Sequence, residues 1–144
     1  EIFDVLSDGR TMHAGTYNGN PICTAASTAT IRILSEPGLF GRMHDHGYTI
    51  RQTIEQASVK CGHQLVTSGT GPFFNVHFGL TDPPRQWTDV MKADEEKGNR
   101  FRSAMLGHQI QTLPEGRWYV GATHTDKELG RIVPAIEQSM KEIG

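Results

Sequence analysis

The sequence predicts an α+β fold in which helices cover a short antiparallel or mixed sheet. Helical periodicity is clearest over residues 39–61, where apolar side chains recur at spacings of 3, 4 and 7. Strand periodicity is clearest over residues 73–78, where apolar and polar side chains alternate. The pattern Thr125-x-x-Glu128 is a capping box at the start of a last amphipathic helix. A chain of 144 residues is long enough to bury one core of ordinary size.

The first long helix is predicted over residues 21–35. Asn20 is a favoured N-cap, and Pro21 suits the first helical position because proline has no N–H to leave unpaired. The helix consists mostly of small residues, has apolar groups on all sides and carries one charge, Arg32. This composition is typical of a buried helix with close neighbours.

The second helix is predicted over residues 39–61, and Gly62 is expected to end it in the left-handed conformation. Strands are predicted over residues 64–67 and 73–78, with a loop over 68–72 between them. The apolar stripe of the helix predicted over 39–61 is formed by Leu39, Met43, Ile50, Ile54, Ala57 and Cys61.

The remaining elements are a helix over 94–106, short strands over 110–112 and 118–120, and the last helix. That helix contains Pro134, which removes one intrahelical hydrogen bond and predicts a kink. Its core face is formed by Leu129, Ile132, Val133, Ile136, Met140 and Ile143.

The composition is that of an ordinary globular domain, with 36% hydrophobic and 21% charged residues. Fourteen basic and 16 acidic residues give a net charge of −2, so no basic stripe for nucleic acid is expected. No stretch is long enough to predict a membrane span. With two cysteines, a reducing, cytoplasmic location is expected. Because the first residue is Glu1 and not Met, we expect the chain to be part of a longer protein.

The strongest local pattern is the glycine turn from Gly15 to Gly19 that leads into the first long helix. Such a turn directs N–H groups of the helix start toward an anion, and the helix dipole favours negative charge there. Thr16 adds a hydroxyl donor. The sequence therefore predicts a phosphate site, and the alternative is a capped loop that only reverses the chain.

The histidines do not predict a metal site. His44 and His46 are two residues apart, so on a helix they point in different directions, and Cys61 near His63 belongs to the apolar stripe. His77 is expected on the polar face of the sheet. His124 is expected to organise the start of the last helix.

The cysteines show no paired base. Cys23 and Cys61 are both expected to be small core residues.

The sequence closely resembles the class III pyridoxal-phosphate aminotransferases, and among them the group that contains glutamate-1-semialdehyde aminomutase. The resemblance covers essentially the whole chain in family order. It is carried by Gly15-Thr16-Tyr17-Asn18-Gly19-Asn20-Pro21, Glu36-Pro37-Gly38-Leu39, Gly69-Thr70-Gly71, Ala104-Met105-Leu106 and Ala122-Thr123-His124-Thr125-Asp126.

The resemblance implies the C-terminal part of a fold-type I transferase. Residues 1–36 would be the tail of the large domain that binds pyridoxal phosphate, and residues 37–144 the small domain. It further implies a homodimer, in which Gly15 and Thr16 contact the phosphate of the neighbouring subunit's cofactor. The substrates would be a small amino donor and an oxo acceptor.

The family's Schiff-base lysine lies upstream of the glycine turn, so no catalytic residue is expected within this chain. The acidic partner of the cofactor's pyridine nitrogen is also expected upstream. All lysines of the chain lie downstream and are expected on solvated helix surfaces: Lys60, Lys92, Lys97, Lys127 and Lys141.

Arg117 stands where the aminomutase pattern has a Phe-Glu-Ala-like segment, and here the segment is Pro114-Glu115-Gly116-Arg117-Trp118. This departure favours an aminotransferase over an aminomutase. Arg117 could bind a substrate carboxylate through two parallel hydrogen bonds. The alternative is an exposed arginine at a strand edge.

Two functional hypotheses follow from these observations. The first is a fragment of an aminotransferase that transfers an amino group between an amino acid or amine and an oxo acid or aldehyde. The second is a non-catalytic dimerisation or binding domain that kept the fold and lost the chemistry. A lysine encoded upstream of Glu1, before a glycine-rich turn, would favour the first hypothesis.

Overall fold

The structure is a computed structural model that describes residues 3–12 and 14–144, and the chain divides into two units, residues 1–36 and 37–144. The first unit contains helices α1 (Asp4–Ser7) and α2 (Pro21–Leu34). The start of α2 is as predicted, because the side-chain oxygen of Asn20 accepts hydrogen bonds from the N–H groups of Ile22 and Cys23. None of the residues of α2 is buried, so the expected burial of this helix does not occur within this chain.

The second unit confirms the predicted α+β class. It contains a three-stranded antiparallel sheet in the order β1-β2-β3, together with four helices and a 3₁₀ turn. In chain order the elements are α3 (Leu39–Lys60), β1 (Leu65–Thr70), β2 (Phe73–Phe78), α4 (Trp87–Val90), α5 (Glu95–Gly107), the 3₁₀ turn (Pro114–Gly116), β3 (Arg117–Tyr119) and α6 (Asp126–Glu142).

Glycines set the end of α3 and the turn of the β1–β2 hairpin. Gly62 is left-handed at φ +73°, and its N–H and that of His63 donate to carbonyls in the last turn of α3, as predicted. The strands continue until Thr70 pairs with Phe73, so only Gly71 and Pro72 form the turn. The predicted loop over 68–72 is therefore too long. A two-residue turn with a glycine first suits the twist of a hairpin.

The predicted strand over 110–112 is wrong. Gln109 adopts a left-handed conformation at φ +63°, and the N–H of Ile110 donates to the carbonyl of Met105 at 2.9 Å. This hydrogen bond closes the end of α5, and Ile110 packs against the core instead of pairing with a strand. The next strand, β3, begins at Arg117, one residue before the predicted position.

The capping box at the start of α6 forms as predicted. The hydroxyl and the N–H of Thr125 both donate to the carboxylate of Glu128, and these hydrogen bonds lower the pKa of Glu128 to about 2. The helix is continuous through Pro134. Within residues 3–12 and 14–144, no helix is long and apolar enough to span a membrane.

The core of the second unit lies between one face of the sheet and helices α3, α5 and α6. Phe74 stacks on Trp118 with 5.8 Å between ring centroids, and Phe78 packs on Phe101 of α5. Helix α6 packs against both α3 and α5. The most deeply buried apolar side chains are Ile50, Ile54, Phe74, Met105, Ile136 and Met140.

The first half of α3 lies directly on the turn of the hairpin at Gly47. A Cβ atom at Gly47 would lie 2.8 Å from the Cα of Pro72 and closer still to the carbonyl oxygen of Gly71. These neighbours are backbone atoms and cannot rotate away. The absence of a side chain at Gly47 is therefore what allows α3 to approach the turn.

We expect Gly47→Ala to destabilise the protein by about 1–3 kcal/mol, because the methyl group would push α3 away from the hairpin. The matched control is Gly41→Ala in the same helix, where an added Cβ has open space. That change should be neutral or stabilising by up to about 1 kcal/mol, since alanine is the better helix former. Urea unfolding of both variants measures the difference, and equal stabilities would contradict the proposed contact.

Candidate functional site

The turn before α2 is held by two backbone hydrogen bonds. The N–H of Asn18 donates to the carbonyl of Gly15 at 3.0 Å, and the N–H of Asn20 donates to the carbonyl of Tyr17 at 3.1 Å. The side chain of Asn18 folds back over Gly15, where a Cβ would lie only 2.7 Å from its Oδ1 atom. This role of Asn18 was not predicted from the sequence. A side chain at position 15 would require Asn18 to rotate away, and Thr16 is exposed at the tip of the turn.

The hydrogen-bond donors of this turn differ from those expected. The first turn of α2 offers no free N–H, because Pro21 has none and the Asn20 side chain accepts those of Ile22 and Cys23. Within residues 3–12 and 14–144, no partner is found for the hydroxyl of Thr16 or for the N–H groups of Thr16, Tyr17 and Gly19. An anion at this turn would therefore be bound by Thr16 and its neighbours, and not by the helix end.

Arg117 lies at the start of β3, an edge strand of the sheet, and its side chain is 40% exposed. Its Nε donates to the carbonyl of Pro114 at 3.3 Å, and a terminal nitrogen lies 3.4 Å from a carboxylate oxygen of Glu115. The position is a strand edge, as one of the two expectations had it, and Arg117 is among the residues that line a cavity.

This cavity has a volume of about 140 Å³ and combines apolar walls with two basic side chains. Ile50, Trp118 and Val120 are buried apolar residues of its lining, and Arg117 and His124 provide polar atoms. The segment 110–113 forms another wall, and its assignment as a strand is why sequence reasoning missed the cavity.

His124 organises the turn before α6, in agreement with its interpretation. Its Nδ1 accepts a hydrogen bond from the N–H of Gly121 at 2.8 Å. In the neutral ring the proton therefore belongs on Nε2, which leaves that nitrogen as a donor.

Three further histidines, His44, His46 and His63, contact neighbouring elements of the fold. Nε2 of His46 lies 3.0 Å from a carboxylate oxygen of Asp126, and Nε2 of His63 donates to the carbonyl of Met140 at 2.8 Å. His44 lies beside Gly71 of the hairpin turn. In the part of the chain that the structure describes, no three His, Cys, Asp or Glu side chains form a group that could hold a metal ion.

His77 lies on the face of β2 opposite Phe74, Val76 and Phe78, as expected, but it is buried there, at 3% exposure. It alternates with the core residues of β2 as predicted, but tertiary contacts cover its face too. A hydrogen bond of 2.8 Å links its Nε2 to Oγ of Ser68 on the neighbouring strand. Burial lowers the pKa of His77 below its usual value of 6.5.

The two cysteines differ. Cys61 is half-buried and packs against the core, close to its expected role. Cys23 is exposed, so its assignment to a core is wrong within this chain, because α2 buries none of its residues.

The lysines agree in part with their expected positions. Four are exposed, and Lys97 is half-buried. Lys92 lies in the turn after α4 and not on a helix, and it pairs with Asp89 at 2.9 Å. None of the five is buried.

Similarity to known proteins extends over the whole chain. The chain is 31% identical over 146 residues to glutamate-1-semialdehyde 2,1-aminomutase of Delftia acidovorans, and the alignment covers 99% of this chain and 33% of that protein. The enzyme of the same name from Fusobacterium nucleatum is 30% identical over 149 residues, covering 100% of this chain and 34% of that protein. The chain thus spans about a third of the length of these relatives. No protein-family model matches it.

Solved structures give the same result for the fold. A β-phenylalanine aminotransferase from Variovorax paradoxus superposes with a TM-score of 0.76 at 26% identity, over 94% of this chain and 32% of that one. A transaminase with bound pyridoxal phosphate superposes with a TM-score of 0.77 at 19% identity, over 93% and 30% of the two chains. The predicted fold, the C-terminal part of a fold-type I transferase, is confirmed.

The lowered pKa of His77 predicts a pH dependence of stability. Because the unfolded chain takes up a proton at this site before the folded chain does, folding stability should fall as the pH drops below about 6.5. It should level off once the pH is below the lowered pKa of the folded state. In His77→Gln this part of the dependence should be lost. Urea unfolding of both proteins between pH 7.5 and pH 5 measures it, and identical slopes would contradict the prediction.

Proposed function

We propose that this chain is the C-terminal portion of an aminotransferase. The chain belongs to the family of pyridoxal-phosphate-dependent aminotransferases that includes glutamate-1-semialdehyde 2,1-aminomutase. The whole protein would transfer an amino group between an amino acid or amine and an oxo acid or aldehyde. The observation that carries this proposal is the alignment of nearly the entire chain with one third of such enzymes.

Residues 1–36 would be the end of the cofactor-binding large domain, and residues 37–144 the small domain. In the first unit, Gly15 and Thr16 would bind the phosphate of the partner subunit's pyridoxal phosphate. The exposed Thr16 hydroxyl and the neighbouring N–H groups fit an anionic oxygen, since they have no partner within the described chain. The Asn18 side chain occupies the space that a side chain at position 15 would take.

Pyridoxal phosphate, when bound, supplies an electron-withdrawing ring on which the amino group is exchanged. The chain's own residues would hold and orient the cofactor and the substrate. Thr16 would fix the phosphate end of the cofactor, and Arg117 would bind the carboxylate of the substrate. Neither residue moves a proton, so the reactive lysine must come from residues outside the 144 of this chain.

Helix α2 supports the proposal of a homodimer. Ile22, Ile31 and Ile33 are exposed to 78%, 63% and 55%, although they are among the most apolar side chains of the chain. The hydroxyls of Thr24, Thr28 and Thr30 donate to carbonyls one turn earlier in the same helix. A helix whose hydroxyls are satisfied internally can be covered without leaving them unpaired. We infer that the large domain and the partner subunit cover it.

An aminomutase is the second candidate, favoured by the names of the two curated relatives. The segment from Pro114 to Trp118 opposes it, because it departs from the Phe-Glu-Ala-like segment of the aminomutase pattern and carries Arg117 close to the place of the acidic residue. A cationic side chain there suits a substrate carboxylate, so transfer to a separate acceptor is the preferred proposal.

The proposal predicts that the 144-residue chain alone has no transaminase activity and forms no borohydride-stable adduct with pyridoxal phosphate. None of its lysines is buried. A longer protein that includes the sequence encoded upstream of Glu1 should form one adduct, at a lysine outside this chain. Peptide mass spectrometry after reduction locates it. A single specific adduct at one of the five lysines here would refute the proposal.

Thr16→Ala in that longer protein should weaken the binding of pyridoxal phosphate. One hydrogen bond to a charged group is worth about 1.5–3 kcal/mol, so Kd should rise by about 10- to 150-fold. Thr16→Ser keeps the hydroxyl and should bind nearly as tightly as the unmodified protein. Thr49→Ala, on the exposed side of α3, serves as the control. Equal dissociation constants for Thr16→Ala and the control would leave the turn as a capped loop only.

A further inference from the structure

The turn over residues 15–19 contains two glycines, and the backbone conformation explains only one of them. Gly19 is left-handed at φ +71°, a conformation that glycine adopts without strain. Gly15 lies outside the left-handed region, so an alanine could adopt its backbone conformation. A glycine loses more conformational freedom on ordering than any other residue. Gly15 therefore needs a neighbour that limits its motion.

The side chain of Asn18 is that neighbour. From the position of a Cβ at Gly15, the Oδ1, Cγ and Nδ2 atoms of Asn18 are 2.7, 2.9 and 2.9 Å away. Three nearly equal distances mean that the flat face of the amide lies over Gly15, while its N–H groups point to the side. The amide thus takes the place of the side chain that Gly15 lacks.

The backbone of Asn18 holds the same residue. Its N–H donates to the carbonyl of Gly15 at 3.0 Å, so Asn18 contacts Gly15 through both backbone and side chain. Thr16 and Tyr17 lie between the two residues joined in this way. They carry the hydroxyl and the N–H groups for which the described chain provides no acceptor.

The amide of Asn18 has no other structural task in the part of the chain that the structure describes. The residue is exposed, and neither amide atom has a hydrogen-bond partner within residues 3–12 and 14–144. A substitution at this position should therefore alter the turn and leave the cores of both units unchanged.

We infer that Asn18 is a positioning residue: it holds Gly15 in the conformation in which Thr16 and Tyr17 present their donors to the phosphate. This inference rests on the phosphate-binding role given to this turn in the proposed function. The amide also lies close to the anion, because only two bonds separate the Cα of Gly15 from the nitrogen of Thr16. A neutral side chain suits this place, since a carboxylate would repel the phosphate.

The test compares the binding of pyridoxal phosphate and of pyridoxal, which lacks the phosphate, to the longer protein. Asn18→Ala should raise the Kd of pyridoxal phosphate by about two- to fivefold, the cost of ordering an unrestrained glycine. It should leave the Kd of pyridoxal unchanged. Gln138→Ala, which removes an amide from an exposed position on α6, should change neither constant.

A double-mutant cycle tests the contact itself. Gly15→Ala should weaken the binding of pyridoxal phosphate when Asn18 is present, because the methyl group displaces the amide. In the Asn18→Ala background there is no amide to displace, so the double variant should bind no more weakly than Asn18→Ala. An equal effect of Gly15→Ala in both backgrounds would overturn the inference.

Asn18→Asp tests how close the amide lies to the phosphate. It keeps the shape of asparagine and adds a negative charge, so it should weaken the binding of pyridoxal phosphate more than Asn18→Ala does. The additional loss should shrink at high salt, since salt screens exposed charges. If Asn18→Asp binds pyridoxal phosphate as tightly as the unmodified protein, the inferred placement is wrong.

The outcomes separate this inference from the proposed function. If Thr16→Ala weakens binding but Asn18→Ala matches Gln138→Ala, the inference is overturned and the proposed function stands. If Asn18→Ala weakens the binding of pyridoxal phosphate and pyridoxal alike, its effect does not act through the phosphate, which also overturns the inference. If neither Thr16→Ala nor Asn18→Ala has an effect, the phosphate role of the turn fails as well. Circular dichroism checks that each variant is folded.

Discussion

The approach of α3 to the β1–β2 turn at Gly47 determines how the second unit is arranged. From this contact the helix runs along the sheet, so that Ile50 and Ile54 enter the core one and two turns later. On the same helix, Arg51 donates to Thr67 and to the carbonyl of Gly69, which ties α3 to β1. A side chain at position 47 would displace all of these groups together, because a helix moves as a rigid rod.

The candidate site of the second unit depends on the same arrangement. Ile50 of α3 forms part of the cavity, and His46, one turn earlier, contacts Asp126 at the start of α6. The turn that carries His124 therefore lies between two fixed elements. Arg117 is positioned separately, by the close contact of Gly116 with β2. Small-ligand sites are commonly apolar pockets lined by a few polar groups.

Features that depend on neighbouring residues could be predicted from the sequence, and features that depend on distant ones could not. The Asn20 cap, the Thr125–Glu128 box and the Gly62 stop each involve side chains within a few residues of one another. The strand expected at 110–112 failed because Gln109 adopts a left-handed conformation that glycine usually provides. The burial of His77 and the contacts of Arg117 required the tertiary structure.

Helix α2 is a different case, because its sequence indicates a surface that must be covered without indicating what covers it. The apolar residues on all sides of this helix are readable from the sequence, and the structure adds that Thr24 and Thr28 hydrogen-bond within the helix. The 144 residues do not include the covering surface, since every residue of α2 except Leu34 is exposed. Likewise, the turn at Gly15 and Thr16 could be located from the sequence, but the group that accepts its hydrogen bonds could not be identified.

The packing of α6 against α3 has a consequence for how the polypeptide is made. In sequence, α3 and α6 are the first and the last helix of the second unit. Ile136 and Met140 of α6 are completely buried. During translation, α3 leaves the ribosome long before α6 has been synthesised, so its apolar stripe has no partner in the interval. Native contacts between distant segments form only after the intervening chain has closed as a loop. The nascent second unit therefore exposes its future core until α6 has emerged, and apolar surface exposed in this way is prone to aggregation.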